Sequence, residues 1–236
     1  MTLEHIIKRL EALADFEKVN LKRDKFGISA DNSLGIYHKD LKVIAKELGP
    51  NTELAIQLFN TGIYEARILC SKMFKPADIT EDLMEKWVKT FDTWEICDSF
   101  CMGLFAKSIY AEQKILEWTL KEREFEKRAG FTIIAAYCMA DKHADNNVFK
   151  QFFPIIEREA SDDRLYVKKA VNWALRNIGK RNVDLNIDAK IVAERLTRLE
   201  NKSSKWIGSN ALREFSKGNI NILNYPRSHY HKLTKK

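Results

Sequence analysis

At 236 residues, with 45% hydrophobic residues, the chain can bury a substantial core without disulfides or a structural metal. Its 40 Lys and Arg against 33 Asp and Glu give a formal net charge of +7, which favours an acidic partner, nucleic acid ahead of an anionic membrane. No apolar run approaches the roughly 18 residues of a membrane span, and only nine Gly and four Pro leave little material for hairpins.

In chain order, the opening MTLEHIIKRLEALADF has acidic residues within an amphipathic pattern and no continuous apolar stretch, so it predicts a helix rather than a signal peptide. The stretch KFGISADNSLGI follows, where Gly27, Asp31 and Asn32 predict an extended or turning segment. Apolar residues spaced i, i+3, i+4 then predict helix pairs over 40–48 and 51–60, 63–73 and 80–90, and 94–107 and 111–123. The pattern continues through 124–139 and 147–159, 165–179 and 188–199, and a last helix over 205–215. Cys70, Cys97, Cys101 and Cys138 all fall in apolar helical runs with no CxxC pair, as expected of buried thiols in a reducing cytoplasm. Cys97 and Cys101 lie one turn apart but lack a second pair of ligands, so no metal is expected.

The helices carry a weak repeat. EAR at 65–67, KRA at 127–129, KKA at 168–170 and SNA at 209–211 are expected at like positions at the start of small-residue helices, and the last three recur at intervals of about 41 residues. That period lies in the range of HEAT and armadillo units. The expected fold is therefore all-α, a curved α-solenoid of HEAT-like repeats in one domain over 1–225, with one helix of each pair lining a basic concave groove; a plain helical bundle with chance spacing is the alternative. A basic tail over 226–236 follows, and the HxH of His229 and His231 within it is too isolated to predict a metal site.

Two segments stand out. Within YVKKAVNWALRNIGKRN, 166–182, the residues Val167, Ala170, Val171, Ala174, Leu175 and Ile178 form one apolar face. Trp173 falls off that face, in a second stripe with Lys169, Arg176 and Lys180. From Arg164 to Arg181 there are six cations (Arg164, Lys168, Lys169, Arg176, Lys180 and Arg181) and no acid. Cations bind phosphate and a flat indole stacks on a base, so nucleic acid is the partner that suits both. In FDTWEICDSFCMGLF the core stripe is Ile96, Cys97, Phe100, Cys101 and Leu104, with Trp94 and Asp98 one turn apart on its flank. Arg128 takes a corresponding place one helix pair later. An Asp98–Arg128 ion pair and a Trp94 packed between layers are the structural alternatives.

At these residues the sequence resembles a known family. TWEICDSF, KRAGF and VKKAVNWALRNIGKRN, preceded by LGI at 34–36 and EARILC at 65–70, are similar to the AlkD-like HEAT-repeat DNA glycosylases of DNA alkylation repair, over about 34–215. The resemblance implies that Trp94 and Trp173 flank the modified nucleotide, that Asp98 is the catalytic carboxylate and that Arg128 holds a backbone phosphate. Lys169, Arg176, Lys180 and Arg181 are expected to add DNA contacts. An N3- or N7-alkylated purine already carries positive charge and leaves without a protonating acid, so one carboxylate serves and no cofactor is required. The partner implied is alkylated double-stranded DNA, bound by a cytoplasmic monomer. In the better-known branch an aromatic-rich helix precedes the LGI motif, where this chain has its turning segment. Two other readings remain: a non-catalytic member that binds damaged, branched or otherwise unusual DNA, and a HEAT scaffold for an acidic protein.

Overall fold

The computed structural model describes residues 2–217 and 220–227. The tail beyond Arg227, including His229, His231, Lys232, Lys235 and Lys236, lies outside the described residues. The described residues form helices, turns and loops without a strand, so the fold is all-α. Two compact units divide the chain, Met1–Ile109 and Tyr110–Lys236.

The first unit contains α1 (Leu3–Glu11), α2 (Phe16–Phe26), α3 (His38–Leu48), α4 (Thr52–Asn60), α5 (Tyr64–Met73), α6 (Glu81–Val88) and α7 (Trp94–Gly103). Side chains of Thr2, Asp15, Asn51, Thr80 and Thr93 cap five of these helices by accepting a first-turn backbone N–H. Phe59, Trp87, Phe91, Phe100 and Phe105 pack ring against ring in the centre. The stripe read from the sequence of α7 is buried in full: Ile96, Cys97, Phe100, Cys101 and Leu104 are all inaccessible. The helix expected over 94–107 breaks at Leu104 into α7 and a 3-10 turn, Phe105–Lys107.

The segment before Leu34 is extended or turning, as Gly27, Asp31 and Asn32 required. Gly27 ends α2 in the left-handed region at φ 65°, donating to the Arg23 and Lys22 carbonyls. Gly35, at φ +76°, lies so close to α2 that a Cβ would stand 2.1 Å from the Asp15 carbonyl oxygen. The helix α2 itself was not legible as one. Its sequence, FEKVNLKRDKF, has no apolar face, because the residue it buries is Lys22.

The second unit contains α8 (Ala111–Trp118), α9 (Glu124–Ala140), α10 (Asn146–Lys150), α11 (Phe152–Glu159), α12 (Leu165–Gly179), α13 (Val183–Arg198) and α14 (Lys202–Phe215). The single helix expected over 147–159 is two, because Pro154 has no N–H to donate to Lys150 and its ring crowds that carbonyl. Val167, Ala170, Val171, Ala174, Leu175 and Ile178 are fully buried. Bonds at intervals near the repeat period tie α9 to α12: Asn177 Nδ2 donates to Ala135 O (2.8 Å), and Tyr166 N donates to Glu124 Oε1 (3.2 Å). KRA and KKA both begin three residues into their helices, whereas SNA lies in the middle of α14, which starts about a turn earlier.

Candidate nucleic-acid interface

The first unit holds Trp94 and Asp98. Thr93 Oγ1 accepts the Ile96 N–H (3.3 Å) and lies 3.0 Å from the Tyr64 hydroxyl, which fixes where α7 begins. Trp94 is therefore the first residue of the helix. Its indole N–H donates to Phe26 O, 2.9 Å away at the end of α2, and its ring is half-buried. One turn on, Asp98 is also half-buried. Both line a cleft of about 440 Å³ with His38, Lys42, Lys72, Glu95, Ser99, Met102 and Gly103.

Behind this cleft lies a buried polar network. Lys22, 3% exposed, donates to Glu95 Oε2 (3.2 Å) and Ile36 O (3.3 Å), with Glu65 Oε1 at 3.9 Å. Glu65 is fully buried and accepts from Ser33 Oγ (2.8 Å) and the backbone N–H groups of Leu34 (2.7 Å), Gly35 (2.9 Å) and Ile36 (3.2 Å). The LGI and EARILC motifs thus meet here, the second supplying the carboxylate that the first wraps. Glu95 Oε2 also accepts from Tyr64 (2.9 Å), and His38 Nε2 stands 3.1 Å from Glu95 Oε1 without hydrogen-bond alignment. Burial pushes the Glu95 carboxyl up, but His38, the Lys22 ammonium and the Tyr64 hydroxyl outweigh it, so it stays below its ordinary value. Glu95 is committed to holding the wall together. Asp98 is the other carboxylate that lines the cleft.

The second unit holds the other residues expected at the site. Trp173 is half-buried, off the core face of α12, and Lys169 is exposed. Arg176 and Lys180 converge on Glu214 of α14, Lys180 Nζ at 2.9 Å. The cation run of α12 has no acid of its own, but α14 brings one to it. Arg128 is buried, and its Nη1 donates to Tyr166 O at 2.7 Å.

Arg181 corrects the sequence reading. It is not a DNA contact but a fully buried structural residue. Its Nη1 donates to Cys138 O (2.7 Å) and Asp141 O (2.6 Å), and its Nη2 to Ala144 O (2.7 Å), which satisfies carbonyls at and beyond the end of α9. The guanidinium lies 3.9 Å from the centre of the Phe149 ring.

All four cysteines are buried thiols outside any disulfide, and burial pushes the Cys138 thiol up to about 12. Among the described residues no group of three or more His, Cys, Asp or Glu is arranged to hold a metal, and no helix is long and apolar enough to cross a membrane.

The model of a family described as DNA alkylation repair enzyme matches residues 6–215. The chain belongs to the DNA alkylation repair enzyme family. No curated protein matches it in sequence. Among solved structures it resembles one described as "a new family of proteins related to the HEAT-like repeat DNA glycosylases with affinity for branched DNA structures". That likeness has a TM-score of 0.72 at 20% identity, covering 90% of this chain and 95% of the other. At that identity it establishes a HEAT-like fold. The TWEICDSF block of this alkylation repair family member therefore builds one wall of a cleft, with Trp94 and Asp98 on it. Sequence reasoning missed Lys42, Lys72 and His38, which line the same cleft from α3 and α5, because residues that meet only in the fold leave no local pattern.

Proposed function

We propose that this member of the DNA alkylation repair family is a glycosylase that hydrolyses the N-glycosidic bond of N3- or N7-alkylated purines in duplex DNA. The observation that carries the reading is the shared cleft wall, where an indole and a carboxylate one turn apart adjoin the ammonium groups of Lys42 and Lys72. In the reaction the bond from C1′ to the purine nitrogen breaks and its electron pair neutralises the purinium. Water adds to C1′ and releases its proton. Positive charge develops on the deoxyribose in the transition state, where the Asp98 carboxylate stabilises it and orients the water. The Trp94 face favours the same cationic character. Lys169, exposed, meets phosphate directly, while Arg176 and Lys180 do so only by sharing or leaving Glu214. Arg128 holds backbone phosphate from its place at Tyr166.

A second reading, binding of branched DNA without bond cleavage, is favoured by the affinity described for the structural relative. Base release from alkylated duplex separates the two. In the glycosylase reading Asp98→Asn lowers single-turnover base release by at least about 100-fold with nearly unchanged DNA affinity. Equal release by both proteins would remove Asp98 from the mechanism.

A further inference from the structure

Beside the Trp94–Asp98 cleft lies a second of about 500 Å³, whose lining includes Lys42, Lys46, Ser71, Lys72, Gly103 and Lys107. The two adjoin, sharing Lys42, Lys72 and Gly103. Their chemistry differs. The first mixes carboxylates with an indole and a thioether, whereas the second has four lysines and no acid. Lys42 and Lys46 stand one turn apart on α3, Lys72 comes from the last turn of α5, and Lys107 from the 3-10 turn after α7. Three separate elements therefore converge their cations on one concavity. Close packing sets this floor: a Cβ at Gly103 would lie 3.0 Å from the Ser71 carbonyl oxygen.

Among the described residues none of the four lysines forms an ion pair, although carboxylates pair with many other cations of the chain. Lys72, half-buried, has His38 Nδ1 3.5 Å away, which is not a counter-charge. Burial, followed by repulsion from Lys42, lowers the pKa of its ammonium against the opposing pull of Glu95 in the adjoining cleft. Like charges gathered in a recess without an anion repel one another, and an anion entering the recess relieves that repulsion.

We infer that Lys42, Lys46, Lys72 and Lys107 form a backbone-phosphate subsite for the DNA strand whose nucleotide lies against Trp94 and Asp98. The inference rests on the DNA-binding part of the proposed function and assigns its phosphate contacts in the first unit to this cleft. It also explains how a carboxylate-bearing cleft attracts a polyanion: the neighbouring lysines offset Asp98 and Glu95 where the strand continues.

The test uses Lys46→Ala/Lys107→Ala, both exposed and unpaired, so that folding is little affected. Lys89→Ala serves as a control for loss of surface charge. Affinity for a duplex is measured against salt by fluorescence anisotropy. Each lysine that neutralises a phosphate contributes about 0.9 to the slope of log affinity against log salt, so the double variant loses nearly two units. Between 50 and 200 mM salt the wild type then weakens about tenfold more than the variant. A slope equal to that of Lys89→Ala, with wild-type DNA binding intact, overturns the subsite and leaves the functional reading standing. Wild-type protein without salt-dependent DNA binding overturns both. Protection of the lysines from acylation by inorganic phosphate alone, with an unchanged DNA slope, assigns the cleft to a free anion and also overturns it.

Discussion

Arg181 gives the sharpest contrast between charge read from sequence and charge placed by the fold. Replacing it with Ala removes three charge-assisted hydrogen bonds, at 2.6–2.7 Å, and leaves the carbonyls of Cys138, Asp141 and Ala144 without their donor. At about 1.5–3 kcal/mol each, the bonds sum to roughly 4–9 kcal/mol, before allowing for non-additivity. Two of the three carbonyl contacts are only partly buried, so water reaches them in the variant and recovers some of the loss. The guanidinium's packing on Phe149 is lost as well. The expected cost is about 3–5 kcal/mol, which a urea titration followed by circular dichroism reads as a lower midpoint at unchanged m-value. Arg181→Lys keeps the charge but cannot span three carbonyls with one ammonium, so it should restore less than half of the loss. A variant with the wild-type midpoint and weaker DNA binding would refute the structural assignment and return Arg181 to the DNA surface.

Glu65→Gln is nearly isosteric, yet it should destabilise the protein by about 2–4 kcal/mol. An amide oxygen can serve Ser33, Gly35 and Ile36, but the amide nitrogen then faces the Leu34 N–H donor. A thermal or urea midpoint within 0.5 kcal/mol of wild type would contradict that geometry. For Glu95 the folded carboxyl titrates below its ordinary value of 4.5. Its contribution is complete above that value and is lost as pH falls through the folded pKa. Stability measured from pH 5 downward should therefore fall more steeply in wild type than in Glu95→Gln, and parallel curves would show that the network does not hold the carboxylate ionised.

Helix existence was largely legible in the sequence, because the apolar stripes of α7 and α12 are buried residue for residue. Exceptions have local causes. In α2 the inward residue is Lys22, invisible to hydrophobic periodicity, and its carboxylate partners lie on α5 and α7. The missed break between α10 and α11 follows from Pro154, within an otherwise continuous apolar pattern. At the site, Trp94 and Asp98 were legible as a pair because one helical turn brings them together. The cations were not, since sequence shows where charge lies along a helix and not what another helix brings to meet it. Glu214 reaches Arg176 and Lys180 from more than thirty residues away, and the Arg181 carbonyls come from backbone. The same limit hid Lys42, Lys46, Lys72 and Lys107, which converge only in the fold.

The most direct measurement is chromatographic detection of free 7-methylguanine released from N7-methylated duplex DNA by the purified protein under single-turnover conditions. Release above the spontaneous rate by wild type, reduced by at least about 100-fold in Asp98→Asn, is the expected result. Wild-type protein that binds the same duplex tightly but releases no base above background would contradict the glycosylase assignment and leave DNA binding as the function of the Trp94–Asp98 cleft.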